Sequence, residues 1–245
     1  MTSDADILEQ KVLWLNETPG ELTGYDCPLC KNRGDSAYVV NGEIVYRPCK
    51  CLKIRSCLRN IRESGLEPLL GEKTFEAYYV REDWQRLVKQ RVQEYVQDET
   101  GAWMVLTGCQ GSGKTHLCTA ACGELLKNGI AVRYMLWIDE IQRLKAAKTD
   151  ERYAEMMKPW KQAEVLYIDD LFKTKRGEEV SGPDVRLAFE LINYRYIDPK
   201  KRTIISSEKT LDEIINLDQA LGGRLREKSK GFYFRFTGEK DWRLR

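Results

Sequence analysis

The sequence predicts an α/β fold: a three-layer αβα domain on a central, mainly parallel sheet, with a small zinc-binding module in front of it. Three observations carry this prediction. Apolar β-rich runs alternate with helix-period segments from about residue 82 onward. The stretch Gly108-Cys109-Gln110-Gly111-Ser112-Gly113-Lys114-Thr115 fills every position of G-x-x-x-x-G-K-[ST] and sits between such a strand and such a helix. Near the N-terminus, four cysteines in the pattern C-x2-C…C-x-C flank a hairpin signal.

Taken in order, residues 1 to about 20 read as a short helix bearing Ile7, Leu8, Val12, Leu13 and Leu15, stopped by Pro19-Gly20. Ala37-Tyr-Val-Val and Ile44-Val-Tyr flank Asn41-Gly42, a dipeptide suited to the positive φ angles of a tight hairpin turn. A basic helix follows over 53–64, ended by Gly65. Residues 66 to about 80, with Pro68 and Gly71, read as a linker, so two domains are expected, 1–70 and 71–245. Beyond it the pattern predicts a helix near 82–98, strand 103–107, helix 114–128, strand 131–136, helices within 138–162 and strand 164–168. Helix 184–196, strand 202–207, helix 211–216 and strand 231–236 complete the series.

The glycine-rich stretch has the chemistry of a phosphate-binding loop. Glycines let the backbone wrap an anion, and its N–H groups and the following helix N-terminus point at phosphate oxygens. Gly108, Gly111, Ser112 and Gly113 would form the cradle. Lys114 would reach the β- and γ-phosphates, and the Thr115 hydroxyl would ligate Mg²⁺. Val165-Leu-Tyr-Ile-Asp169-Asp170 is an apolar strand ending in two carboxylates. The first would join Thr115 around Mg²⁺, and Asp170 would polarise the attacking water. Two acids favour ATP hydrolysis over nucleotide binding alone.

A hairpin brings Cys27 and Cys30 against Cys49 and Cys51, giving four thiolates for a structural Zn²⁺. Cys27-Pro-Leu-Cys30 with Gly34 has the form of a zinc-ribbon knuckle. The alternatives are four buried thiols without metal, or Cys57 in place of one ligand. Cys118 and Cys122, at i and i+4, read as small core residues, and His116 as structural.

Composition sets the bounds. The 245 residues fit one medium domain and an appendage, with 42% hydrophobic residues for a core and 32% charged ones for a wet surface. The net charge of +2 leaves nucleic-acid affinity to local patches. No run reaches membrane-span length and the acidic N-terminus is unlike a signal peptide, so a cytoplasmic location is expected, where eight cysteines are ligands or core fillers rather than disulfides.

Two further segments carry candidates. The polar loop Lys173-Thr-Lys-Arg-Gly-Glu-Glu either contacts nucleic acid or is merely solvated. Strand 202–207 ends in Ser206-Ser207-Glu208, where a polar residue would read the γ-phosphate. Gly222-Gly223-Arg224-Leu-Arg226 places arginines after an expected tight turn, and Arg224 suits developing phosphoryl charge.

The set GCQGSGKTHL, VLYIDDLFKTK, FELINYRY, RTIISSEKTLDEI and ALGGRL resembles the DnaC-type family of bacterial and phage helicase loaders, within the AAA+ ATPases. CPLCKNRG…YRPCKCL, the basic helix ending in SGL, and EKTFEAY look like phage or prophage members. The resemblance implies an N-terminal module for the ring-shaped hexameric replicative helicase, an ATPase module that self-associates, and contact with single-stranded DNA. It implies phosphate and Mg²⁺ roles for Lys114 and Thr115, Walker B roles for Asp169 and Asp170, Ser207 or Ser206 near sensor 1, and Arg224 as a finger acting in trans. Glu208 stands where several relatives have Asn, and the chain ends soon after Phe236, which implies no full C-terminal lid and slow turnover. An IstB-type transposition helper and a nucleotide-switched interaction module are the rival readings.

Overall fold

The computed structural model describes residues 4–63, 67–174 and 178–237. Its contacts divide the chain into two compact units, Met1–Arg59 and Asn60–Arg245. This division lies N-terminal to the boundary expected at residue 70.

In the first unit, helix α1 (Asp4–Glu17) packs on the antiparallel hairpin β1 (Asp35–Val40) and β2 (Glu43–Pro48). Asn16 ties them together: its amide donates to the Ala37 carbonyl at 3.0 Å, and its oxygen accepts from the Ala37 N–H at 2.8 Å. One side chain thus replaces a missing strand neighbour on β1. Asn41 and Gly42 both have positive φ, 52° and 79°, as the hairpin signal requires. Helix α2 (Cys51–Glu63) begins at the last cysteine of the quartet; the helix end expected at Ser64-Gly65 lies outside the described residues.

The second unit opens with α3 (Glu67–Glu72) and α4 (Asp83–Gln97). Helix α3 occupies the expected linker: Pro68 is tolerated in a first turn, and half-buried Leu69 and Leu70 give it an apolar side against the phosphate-loop helix. Strands β3 (Met104–Gly108), β4 (Val132–Leu136), β5 (Val165–Asp169), β6 (Arg202–Ser207) and β7 (Tyr233–Phe236) form one sheet, order β4-β5-β6-β3-β7, with every pairing parallel. The intervening helices are α5 (Lys114–Lys127), α6 (Trp137–Ala146), α7 (Tyr153–Gln162), α8 (Gly182–Ile197), α9 (Leu211–Leu217) and α10 (Gln219–Lys228).

Alternation along the strands assigns their faces. Val105, Leu166, Ile168 and Ile205 share a core with Leu187, Leu191, Leu221 and Leu225 of α8 and α10. The alternate positions, Tyr167, Asp169 and Ser206, face the α5 side. Helix α10 replaces the tight turn expected at Gly222-Gly223. Gly222 is buried against α9, where a Cβ would lie 2.8 Å from the Ile215 Cα. The glycine serves close helix approach, a role that composition alone does not separate from a turn.

Candidate functional site

The C-terminal ends of β3, β5 and β6 converge on a cleft of about 380 Å³ lined by Gly111 to Thr115, Asp170, Lys173 and Glu208. The loop from β3 into α5 carries positive φ at Gly108 (112°), Gly111 (69°) and Gly113 (94°), and Gly113 caps α5 in the left-handed conformation. The first N–H groups of a helix have no intrahelical acceptor, so this turn offers them to an anion. Gly108 has a second reason to lack a side chain: a Cβ would lie 2.1 Å from the Phe236 carbonyl oxygen of β7. The Ser112 hydroxyl pins the loop by donating to the Cys109 carbonyl at 2.8 Å.

Lys114 folds back into this loop, its ammonium donating to the Gly108 and Cys109 carbonyls at 2.9 and 2.6 Å. Burial lowers its pKa from the usual value, against the opposing pull of Asp170 and Glu208. A buried ammonium held by backbone carbonyls next to open N–H donors fits a polyphosphate, which would supply a stronger counter-charge.

Asp169 is buried, and four hydroxyls donate to it. Thr115 lies 3.2 Å and Tyr167 2.6 Å from Oδ1, Ser206 also donates to Oδ1, and Tyr134 reaches Oδ2 at 3.1 Å. These donors offset the cost of burying the carboxylate. Adjacent oxygens of an octahedral Mg²⁺ shell at about 2.1 Å lie about 3.0 Å apart, so the Thr115–Asp169 spacing fits shared ligation. The two tyrosines are absent from the sequence reading. The signal for them was the alternation that puts Tyr167 on the same face as Asp169, two residues on, with Tyr134 paired opposite Tyr167.

Asp170 follows the strand at φ 57°, a left-handed conformation uncommon for a non-glycine residue. Its N–H donates to Ser206 Oγ at 2.9 Å, so Ser206 links both acids. Ser207, expected to be the cofactor-facing residue, projects from the opposite face of β6. Its hydroxyl donates to the Leu171 carbonyl at 2.7 Å and accepts from Lys209 N–H at 3.1 Å. The period-2 alternation places Ser206, not Ser207, beside the acids. Glu208 lines the cleft.

Lys173, placed by sequence in a nucleic-acid or solvent loop, instead turns into the cleft; Lys175 and Arg176 lie outside the described residues. Arg224 is on α10, half-buried, 4.9 Å over the Phe189 ring and 5.4 Å over the Tyr196 ring, and donates to the Ala220 carbonyl at 2.9 Å. It is not brought to this chain's own cleft lining. His116 Nε2–H donates to the Thr74 carbonyl at 2.8 Å, with the Tyr78 ring edge-on at 5.2 Å, a structural placement.

In the first unit, the Sγ atoms of Cys27, Cys30, Cys49 and Cys51 all lie within 4.8 Å of one another. The Cys27–Cys49 and Cys30–Cys51 sulfurs are 3.8 and 3.4 Å apart, and none is in a disulfide. A tetrahedral ion with Zn–S of about 2.3 Å requires S···S near 3.8 Å, so the donor set and its size fit zinc. The knuckle is formed as expected: Gly34 N–H donates to Cys30 Sγ at 3.4 Å. Burial alone would raise the Cys30 thiol, but that N–H and the neighbouring thiols bring it down to about 7.

The sequence matches the model of the IstB-like ATP binding protein family over residues 42–223. The chain belongs to this family. A phage-like element PBSX protein, XkdC of Bacillus subtilis (strain 168), is 31% identical over 83% of this chain and 79% of its own length. The replicative helicase loader DnaC of Escherichia coli (strain K12) is 24% identical over 70% of this chain and 69% of its own. A crystal structure of the DnaC helicase loader superposes with TM-score 0.53 at 22% identity, covering 67% of this chain and 96% of that one. The chain spans half the length of the replication-initiator chains it also matches in structure. This IstB/DnaC-like protein is thus an AAA+ ATPase on a P-loop fold. Among the described residues no helix is long and apolar enough to cross a membrane.

Proposed function

We propose that this AAA+ ATPase loads a replicative helicase onto single-stranded DNA, with the cysteine unit and adjoining residues to 70 engaging the helicase. The observation that supports this most is the similarity to DnaC over 70% of the chain, joined to a thiol quartet that lies partly outside the IstB-like match at 42–223. In this reading the β3–α5 loop and Lys114 hold the triphosphate. Thr115 and Asp169 would hold Mg²⁺, which supplies charge neutralisation at the phosphates when bound. Ser206 fixes the backbone of Asp170, whose carboxylate accepts a hydrogen bond from the attacking water. Arg224 completes the pocket of a neighbouring copy. Zn²⁺ would sit on the four thiols.

Purified full chain, mixed with the host's ring helicase and a circular single strand coated with single-strand-binding protein, should convert the helicase to a DNA-bound form only with ATP. Absence of helicase binding overturns this reading. A second reading, a transposition helper, is favoured by the family model's description and by 31% identity over 114 residues to an insertion-sequence ATP-binding protein of Bacillus thuringiensis. Stimulation of a transposase instead of a helicase would decide for it.

A further inference from the structure

Lys173 sits where no phosphate-loop motif calls for a cation. The Asp170–Lys173 segment is a tight turn closed by Lys173 N–H donating to the Asp170 carbonyl at 2.9 Å. That turn starts from the left-handed Asp170 and folds the lysine back over its own acid. Its ammonium lies 2.6 Å from Asp170 Oδ2 and 3.2 Å from Glu208 Oε1, bridging the loops after β5 and β6. All three side chains line the same cleft as Lys114. The Asp170 oxygen expected to accept from water is therefore already occupied by a cation. A terminal phosphate entering the cleft would compete for that cation with more charge than either carboxylate carries.

We propose that Lys173 is a phosphate-reading latch: it holds Asp170 and Glu208 while the cleft lacks a terminal phosphate, and it moves onto the γ-phosphate oxygens when a nucleoside triphosphate binds. Transfer frees Asp170 Oδ2 for water and separates the β5 and β6 loops from their shared ion pair. The latch acts in cis and distinguishes triphosphate from diphosphate. It rests on the reading that this cleft takes ATP.

The test measures ADP and a non-hydrolysable ATP analogue binding to the full chain, with Mg²⁺ present, by displacement of a fluorescent nucleotide. Lys173→Gln should lose about tenfold in affinity for the ATP analogue and leave ADP affinity unchanged, while Lys173→Arg keeps most of the preference. Adding Glu208→Gln to Lys173→Gln should not restore it. Restoration would show that Lys173 only neutralises the carboxylates, and would overturn the contact. An unchanged ATP-to-ADP ratio in Lys173→Gln, or equal loss of both nucleotides, overturns the latch. Wild-type protein that binds neither nucleotide would overturn the ATP reading of the cleft itself.

Discussion

In the first unit the buried side chains include four thiols, Cys27, Cys30, Cys51 and Cys57, with Ala37 and Ile54. In the second, strands β3, β5 and β6 are buried from end to end, with a large apolar cluster on the α8 and α10 face and Leu117 and Leu125 of α5 buried as well. The first also leaves large apolar groups in solvent, Trp14 at 66%, Leu29 at 73% and Tyr46 at 54% exposed. A unit of about sixty residues with so little aliphatic burial needs another source of folding energy, which a metal on Cys27, Cys30, Cys49 and Cys51 would supply. The sheet needs none. The two units should therefore fail separately.

The largest expected effect breaks the first unit alone. Elemental analysis should find one zinc per chain, and chelation, or Cys51→Ser, should remove it together with about 10 kcal/mol of apparent folding energy. Hydrogen exchange should rise throughout residues 4–59 while ATP affinity stays put. Zinc-free protein with unchanged exchange in that segment would refute the dependence.

The second effect sharpens the comparison within the sheet unit, where ground-state and transition-state roles should separate. Lys114→Ala should abolish measurable ATP affinity. Asp170→Asn should bind ATP at least as well, since it also loosens the hold on Lys173, and turn over about 10³-fold more slowly, because that carboxylate orients water and holds no phosphate itself. Calorimetry beside a phosphate-release assay distinguishes them; parallel loss of affinity in both variants would merge the roles.

Third, Arg224→Ala should bind ATP as an isolated chain and lose about 10³-fold in assembly-dependent hydrolysis. Its place over Phe189 and Tyr196, outside the chain's own cleft, suits a residue supplied to a neighbour. Mixtures with Lys114→Ala should recover activity, since some interfaces then pair an intact pocket with an intact arginine. Co-assembled mixtures that stay inactive at every ratio would return Arg224 to an aromatic-packing role.

Much of this was legible in sequence where a short motif coincides with a geometric requirement. Lys114, Thr115 and Asp169 are fixed by a loop and a strand end whose spacing admits few alternatives, and the structure joins the Thr115 and Asp169 side chains by a hydrogen bond. The cysteine pairs were legible because a hairpin register is set by its turn. What failed to show was orientation. Ser206 and Ser207 are chemically alike, and only the register with β5 decides which one faces the acids. Lys173 reads in sequence as a nucleic-acid contact or a solvated loop residue, because its turn depends on a left-handed aspartate. Tyr134 and Tyr167 read as ordinary strand residues, their hydroxyl partner being distant in sequence.

The smallest effects discriminate between two adjacent glycines and test the same lesson. Sequence suggested a turn at Gly222-Gly223, yet both are helical. A Cβ on Gly222 would lie 2.4 Å from Ile215 Cγ1 and 2.9 Å from Ile215 N, backbone that cannot yield without moving α9. Gly223 meets nothing within 4 Å. Gly222→Ala should therefore destabilise the second unit by about 1–3 kcal/mol through overpacking. Gly223→Ala should stabilise it by up to about 1 kcal/mol, because alanine loses less backbone freedom in a helix. Denaturant midpoints of the sheet unit, followed by Trp103 and Trp137 fluorescence, would read both, and zinc content should change in neither. A true turn with positive φ at these positions would penalise both substitutions alike, so opposite signs are the outcome that only packed helices produce.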